Sequence, residues 1–546
     1  MWVQNYDPFV SWPLSTFAAA LPVVVLLGLL ASGKANAWQS ALAGLATATL
    51  AAVFVFGMPI RFAALSAGYG MVFAAFRIVW LIVAAVFLYD IAVATGEFEV
   101  MKRSIAQLSP DRRIQAILVA FCFGAFIEGA AGFGAPVAIS AAFLVGLGFR
   151  PTQAAILCLI ANTAPVAWGA IGTPIQTLAT ITGLDVHALS ATAGKILPPL
   201  SFIIPIWLVK TMTSWRRTLE IWPALVVVGG TFAVSQWLWS SRGFELVDIV
   251  SSVAALAAGM ILLRFWRPKN VWRFEHDADN LVAPSEALAR LSGGRVARAW
   301  MPFGLLTVTV LIWGVPEIKR EMGKATDWKP KLAGLHLKIA KGEAVTGHAT
   351  PTEKDKETAV LDIVPITSTG TAVFLAAVAG GLTMGVRPKT LAIMFGRTIA
   401  RLAPACAAIF AMLALGFVTK FAGMDAVLGL ALTRTGRGLY PIFGTMLGWL
   451  GVALTGSDTS SNVLFGNLQV ITAKKLHLDP ILMAAANTTG GVMGKMIDAQ
   501  SIVVAAAATG ETGKEGTILR AVFFHSVALA FLVGLIVWLR AFAFPV

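Results

Sequence analysis

Long apolar runs, rather than alternation of polar and apolar positions, set the pattern of this chain. Ten stretches (14–31, 38–57, 69–95, 196–210, 221–240, 248–263, 300–315, 363–384, 397–420 and 518–540) are apolar nearly throughout and are separated by charged or Gly/Pro-bearing segments. Runs of this kind predict helices that cross a hydrocarbon core of about 30 Å, where every backbone polar group must be satisfied within the segment.

Two stretches depart from that pattern. Residues 114–148 are apolar but are broken by Gly124, Glu128, Gly129, Gly132, Gly134 and Pro136. Two full crossings and a turn need about 40 residues, so a re-entrant hairpin with its tip near 128–136 is predicted. Residues 152–182 read as one crossing interrupted at Asn162-Thr163-Ala164-Pro165, because proline donates no hydrogen bond and disfavours helical geometry just before it. Both features recur downstream. A second hairpin is predicted over 440–472, interrupted at 455–462, and a second broken helix over 480–510, interrupted at 487–491.

The tripeptides Ala161-Asn162-Thr163 and Ala486-Asn487-Thr488 are identical and stand 325 positions apart (487 − 162). The same offset carries the starts at 38, 69 and 196 to 363, 394 and 521, close to or inside predicted spans. The expected fold is therefore an all-α polytopic membrane protein with about 12 transmembrane helices plus two re-entrant hairpins. Its repeats would be 1–220 and 363–546, joined by spans in 221–315 and an extramembrane loop at 316–362.

Composition agrees. The chain is 57% apolar and 13% charged, against about 25% charged in an ordinary soluble domain. The net charge of +14 would suggest nucleic acid in a soluble protein, but here Lys and Arg cluster in short loops and read as orientation signals. Loops 97–113, 210–220, 264–298 and 385–401 are placed in the cytoplasm on that rule. The first hairpin must then enter and leave on the cytoplasmic side, and the repeats must be inverted. The loop at 315–362 would lie outside although nine basic residues face eight acidic ones there. No cleavable signal peptide is expected, since the opening residues lack a basic n-region. Cys122, Cys158 and Cys406 lie in apolar stretches, so neither a disulfide framework nor a metal site is expected.

Polar groups at membrane depth cost about 2.5–3.5 kcal/mol per charge on the insertion scale, and unwound backbone there must line a cavity or be buried in protein. Both conditions meet at the two hairpins and the two Asn-Thr breaks, where helix ends offer N–H groups to an anion and carbonyls to a cation. Glu128, set among Phe126, Ile127 and Gly129, is the first candidate to carry a proton; the plainer explanation is a carboxylate capping a broken helix. Asp458 is its counterpart among hydroxyls, with an N-cap as the equally weighted alternative. Lys495 is the candidate countercharge for a monocarboxylate, against a structural pair with Asp498 or Asp458. Asn162, Thr163, Asn487 and Thr488 could bind the carboxylate or a hydroxyl, or satisfy backbone freed at the breaks. Ser457, Ser460, Ser461, Gly129, Gly132 and Gln500 complete the expected substrate site.

No G-x-x-x-x-G-K-[ST] and no H-E-x-x-H occur, which argues against ATP-driven pumping within this chain and against a zinc protease. No cofactor and no metal are expected.

At these motifs the sequence resembles the L-lactate permease family. The matching segments are Asn5-Tyr-Asp-Pro8, Phe121-Cys-Phe-Gly-Ala-Phe126, Glu128-Gly-Ala-Ala-Gly-Phe-Gly-Ala-Pro136 and Asn162-Thr-Ala-Pro165 in the first half. In the second they are Gly448-Trp-Leu-Gly451, Leu454-Thr-Gly-Ser-Asp-Thr-Ser-Ser-Asn462, Ala485-Ala-Asn-Thr-Thr-Gly-Gly491 and Gly494-Lys-Met496. The resemblance spans nearly the whole chain and is weaker across 317–362. It implies proton-coupled uptake of L-lactate, with glycolate and D-lactate, across a bacterial inner membrane, by a transporter of elevator type. Composition and repeats alone name no substrate. Two rivals remain open: a sodium-coupled carboxylate transporter and a membrane-embedded enzyme. The expected partners are a small monocarboxylate, a proton and the lipid bilayer, without nucleic acid; a homodimer is an expectation with no residue behind it.

Overall fold

A computed structural model describes residues 1–32, 35–106, 108–130, 132, 135–274, 292–346, 350–361, 363–511 and 514–544. The chain is overwhelmingly helical, and the strands among the described residues are a two-residue parallel pair, β1 (Trp2–Val3) and β2 (Ile339–Ala340). Five helices pass on length and apolarity together: Ile60–Ala94, Arg112–Ala130, Val247–Phe265, Pro388–Ala422 and Glu515–Phe542. Two bent pairs, Pro151–Ala161 with Val166–Thr182 and Val186–Ile196 with Pro198–Met212, pass as units, and five shorter apolar helices accompany them. The runs predicted at 69–95 and 397–420 are the ends of two 35-residue helices. Such a set of apolar helices makes a multi-pass membrane protein.

The first hairpin rises along Arg112–Ala130, through a π-helical turn at Ile117–Phe123, and returns along Ala135–Gly146. Arg112 Nη1 donates to the Leu147 carbonyl, so both arms start from one face. Beside it lies a buried knot. Arg113, fully enclosed, donates to Asp111 at 2.7 and 3.0 Å, to Glu220 Oε2 at 2.9 Å, and to the carbonyls of Arg217 and Asn270 at 2.6 and 2.8 Å. Nearby, Arg295 and Arg298 sit 3.1 and 3.6 Å from the enclosed carboxylate of Glu97, and Arg298 also donates to the Met384 carbonyl. Residues of the basic loops at 97–113, 210–220 and 264–298 are thus joined by these contacts, and Met384, one residue before the fourth, is joined to Arg298.

At the other end of the long helices sits a cap. Tyr6 OH receives a hydrogen bond from Gly342 N and donates to Gln4, whose amide donates to the carbonyls of Lys420 and Phe421. Tyr69 OH donates to the Val360 carbonyl. The cap therefore lies over the Phe421 end of helix Pro388–Ala422.

The second hairpin is Tyr440–Thr455 followed by Asp458–Lys475. Its break is narrower than predicted. Only Gly456, at φ 72°, and Ser457 leave the helix, because the Ser457 hydroxyl accepts from Ser460 N and caps the next helix at once. Its base lies near Gly438, whose carbonyl accepts from Trp538 in the last turns of the final helix.

Helix Pro151–Ala161 ends with Asn162 as its C-cap, and the disruption runs further. A 3₁₀ turn at Val166–Trp168 is followed by Ala170, Ile171 and Gly172 at φ 44°, 58° and 73°, within a bend of 67°. Left-handed geometry costs about 1–2 kcal/mol for each of the two residues that carry a Cβ.

The second break is a correction. Helix Pro480–Gly494 runs without interruption through Asn487-Thr488-Thr489-Gly490-Gly491, and the chain leaves helical geometry between Lys495 and Asp498 before Ala499–Thr509. Thr489 turns its hydroxyl back to the Ala485 carbonyl at 2.9 Å. The glycines serve close approach instead. A Cβ on Gly448 would stand 2.0 Å from Asn487 O, one on Gly490 2.1 Å from Thr445 O, and one on Gly494 2.2 Å from Trp449 O. Helix 480–494 lies directly on the outer arm of the second hairpin through this seam of small residues.

Candidate substrate site

The two hairpin tips face one another across a cavity of about 60 Å³. Glu128 and Gly132 line it from the first tip and Gly456, Ser457, Asp458 and Thr459 from the second. The first broken helix adds Val166, Gly169, Ala170, Thr173 and Pro174, and Lys495 enters from the second break. A water needs roughly 15 Å³ by the same measure, so the space suits about four waters or one solute of a few heavy atoms.

Glu128 is 4% exposed, and its Oε2 has no hydrogen-bond partner among the described residues. The bare Gly169 leaves room for it: a Cβ there would stand 2.4 Å from Oε1. Asp458 is held differently. Its Oδ2 accepts a short hydrogen bond from Thr488 Oγ1, while Oδ1 has no partner among the described residues and lies against Gly491. Lys495 Nζ donates to the Gly456 carbonyl at 2.6 Å and lies 3.2 Å from Asp498 Oδ2. The structural pair weighed as the alternative for Lys495 is thus present, with Asp498 as its partner, and the ammonium still lines the cavity.

The other expected site residues divide. Ser457 and Gly132 line the cavity. Asn487 and Thr488 stand behind it in a buried chain of hydrogen bonds. Tyr440 donates to Gln469, Gln469 to Asn487, Asn487 to Asn462, and Asn462 to Thr488, which holds Asp458. Ser461 donates to the Gly448 carbonyl and the backbone of Ser460 completes the Ser457 cap, so both serve the hairpin. Thr163 turns back to the Ile160 carbonyl at 2.7 Å. Asn162 lies close enough to act on Glu128, although neither of its amide atoms reaches hydrogen-bonding geometry. Gly129 faces away, against Asp248 and Ile249. The side chain of Gln500 lies outside the described residues.

Sequence reasoning missed the wall formed by Gly169, Ala170, Thr173 and Pro174, although Gly169-x-x-Gly172-x-Pro174 is a breaker signal of its own. It also missed Asn462, the hub of the second-half network, and Asp248. Among the described residues no cluster of three or more His, Cys, Asp or Glu could hold a metal ion.

A small cavity with ionisable walls, at the meeting point of two helical hairpins in an apolar bundle, fits a permease. The L-lactate permease family profile matches residues 15–544, and the chain belongs to that family. It is a transporter, not an enzyme. Among similar proteins, the glycolate permease GlcA of Escherichia coli strain K12 is 42% identical over 100% of this chain and 98% of its own length. The L-lactate permease of Salmonella typhimurium strain LT2 is 41% identical over 99% and 98%, and that of Bacillus subtilis strain 168 is 42% identical over 100% and 99%. In shape, the solved antimetabolite efflux pump MtrF of Neisseria gonorrhoeae covers 86% of this chain and 82% of its own at 13% identity, with a TM-score of 0.45; that distance carries no functional reading.

Proposed function

We propose that this permease takes up L-lactate, and also glycolate and D-lactate, by proton symport across the inner membrane of a bacterium. The names of its relatives support lactate and glycolate, and the size of the cavity suits acids of five or six heavy atoms.

The charge inventory of the site carries the coupling. Three enclosed carboxyls, Glu128, Asp458 and Asp498, surround one ammonium, Lys495. An incoming carboxylate adds a further negative charge to a site already short of cations. One proton loaded with the anion leaves the charge of the core unchanged, so empty and loaded forms cross at similar electrostatic cost. Glu128, with a free oxygen on the cavity, is the first acceptor for that proton, and Asp458 is the second candidate. Lys495 offers its ammonium to the substrate carboxylate while remaining tied to Asp498. On this reading the two hairpins are counterparts in inverted halves, 1–220 and 363–546, the core moves in the manner of an elevator, and the protein is a homodimer.

Labelled L-lactate uptake into proteoliposomes, with an inward proton gradient and no sodium, tests the coupling. Accumulation abolished by a protonophore, and reduced tenfold or more by Glu128→Gln, is the expected result. Accumulation that appears only when sodium replaces choline would overturn it in favour of the sodium-coupled alternative.

A further inference from the structure

Asp248 has no part in the scheme above. It stands in the first turn of helix Val247–Phe265, 1% exposed, and neither carboxyl oxygen has a hydrogen-bond partner among the described residues. A buried carboxyl without donor or cation is costly to keep unless it serves a purpose.

Its position supplies one. Asp248 packs on the turn that carries Glu128: a Cβ on Gly129 would stand 2.7 Å from Asp248 Cβ and 3.1 Å from Ile249 N, so glycine is what lets the two helices close. Glu128 is the ionisable group that acts on Asp248 electrostatically. The other segments packed on this helix, 222–240, 169–182 and 117–123, contain no Asp, Glu, Lys, Arg or His. Two enclosed carboxyls on packed turns cannot both ionise cheaply, so a proton held by one is felt by the other. The partial positive charge of a first helical turn eases transient ionisation of Asp248.

The loop leading into the same helix carries Glu245, three residues before Asp248. Glu245 is half-buried and lies within reach of Thr369, of Lys319 in the cap-side helix Pro316–Thr326, and of His187. Burial pushes its carboxyl above the ordinary carboxylate range, and its own backbone N–H, then Lys319 and His187, partly offset this. Glu245 thus stands three residues before Asp248 in the chain, and Asp248 packs on the turn that carries Glu128 at the cavity.

We propose that Asp248 is a second proton-carrying residue of the transport cycle, linking the cap face at Glu245 to Glu128. The O–H bond at Asp248 breaks as its proton passes to a water, that water gives up a proton to form an O–H bond at Glu128, and the Asp248 carboxylate regains a proton from solvent by way of Glu245. The proposal rests on the proton-symport reading above.

Proteoliposomes holding wild type, Asp248→Asn or Glu245→Gln separate the two ideas. Net accumulation under an inward proton gradient needs protons to be released and reloaded; exchange of labelled for unlabelled lactate at equal pH does not. Asp248→Asn should lose tenfold or more in accumulation and keep exchange within about twofold of wild type. Glu245→Gln, in a loop with little folding risk, should slow accumulation several-fold and also keep exchange. Wild-type accumulation in both variants, or equal loss of both activities in Asp248→Asn while Glu245→Gln is unaffected, would overturn the role of Asp248. A wild-type protein indifferent to the gradient would instead remove the symport reading itself, and this inference with it.

Discussion

The same three residues meet opposite fates in the two halves. In the first, Ala161 ends a helix, Asn162 caps it, and the chain turns by 67° through left-handed geometry. In the second, Ala486, Asn487 and Thr488 continue inside an unbroken helix, and the chain opens eight residues beyond Asn487, at Lys495. What differs is the neighbour. Helix 480–494 is held against the second hairpin by glycines whose missing side chains admit backbone from across the seam. The first half has Pro165 where that seam would continue, and proline cannot supply the hydrogen bond. Local sequence proposes a break; packing decides where it falls.

The difference extends to the acids. Both acids keep an oxygen without a partner among the described residues and lie against a bare glycine, but only Asp458 is gripped through its other oxygen, by Thr488 at the end of a chain that begins at Tyr440. One acid is free to change partners and the other is held.

The contrast can be broken most forcefully at the seam. Gly448→Ala places a Cβ against Asn487 O and should cost about 3 kcal/mol, read as a lower melting temperature in detergent. Gly124→Ala in the first hairpin, with 3.3 Å to a movable Ser140 hydroxyl, should cost far less. At Lys495, replacement by alanine should raise KM for lactate at least tenfold, about 1.4 kcal/mol; an unchanged KM would leave the residue only its pairing with Asp498. The threonines then test the inequality of the acids. Thr488→Val strips the donor from Asp458 and should slow uptake several-fold, about 1 kcal/mol, while Thr163→Val removes only a back-bond and should leave uptake near wild type. The smallest effect belongs to the left-handed turn. Ala170→Gly relieves geometry that costs an alanine about 1 kcal/mol and should raise the melting temperature by a few degrees, provided uptake shows that the turn is kept.

Much of this was legible beforehand, for physical reasons. Glycines and a proline inside an apolar run too short for two crossings pointed to the first hairpin, and the carboxyl at its tip, Glu128, is one that lines the cavity. The second break was misplaced because a Gly-Gly pair looks the same in sequence whether it ends a helix or lets another helix touch it. Asp248 was passed over because a carboxyl at the start of an apolar span reads as interfacial, and only the fold shows that residues 128–129 lie on top of it. The cavity wall at 169–174 was hidden for a related reason: no one-dimensional pattern marks Ala170 and Ile171 as left-handed.

The knot around Arg113 bears on how the protein is made. Its guanidinium is satisfied by groups from three loops, the last of them the Asn270 carbonyl, 157 residues further along the chain. At roughly 5–20 residues per second of synthesis, that partner follows about 8–30 s after Arg113 itself. Until then the base of the first hairpin holds a cation with unfilled donors, and a half-made chain cannot set this element. The hairpin that carries Glu128 is written early and locked late, which leaves its base open to quality control while the chain is still being made.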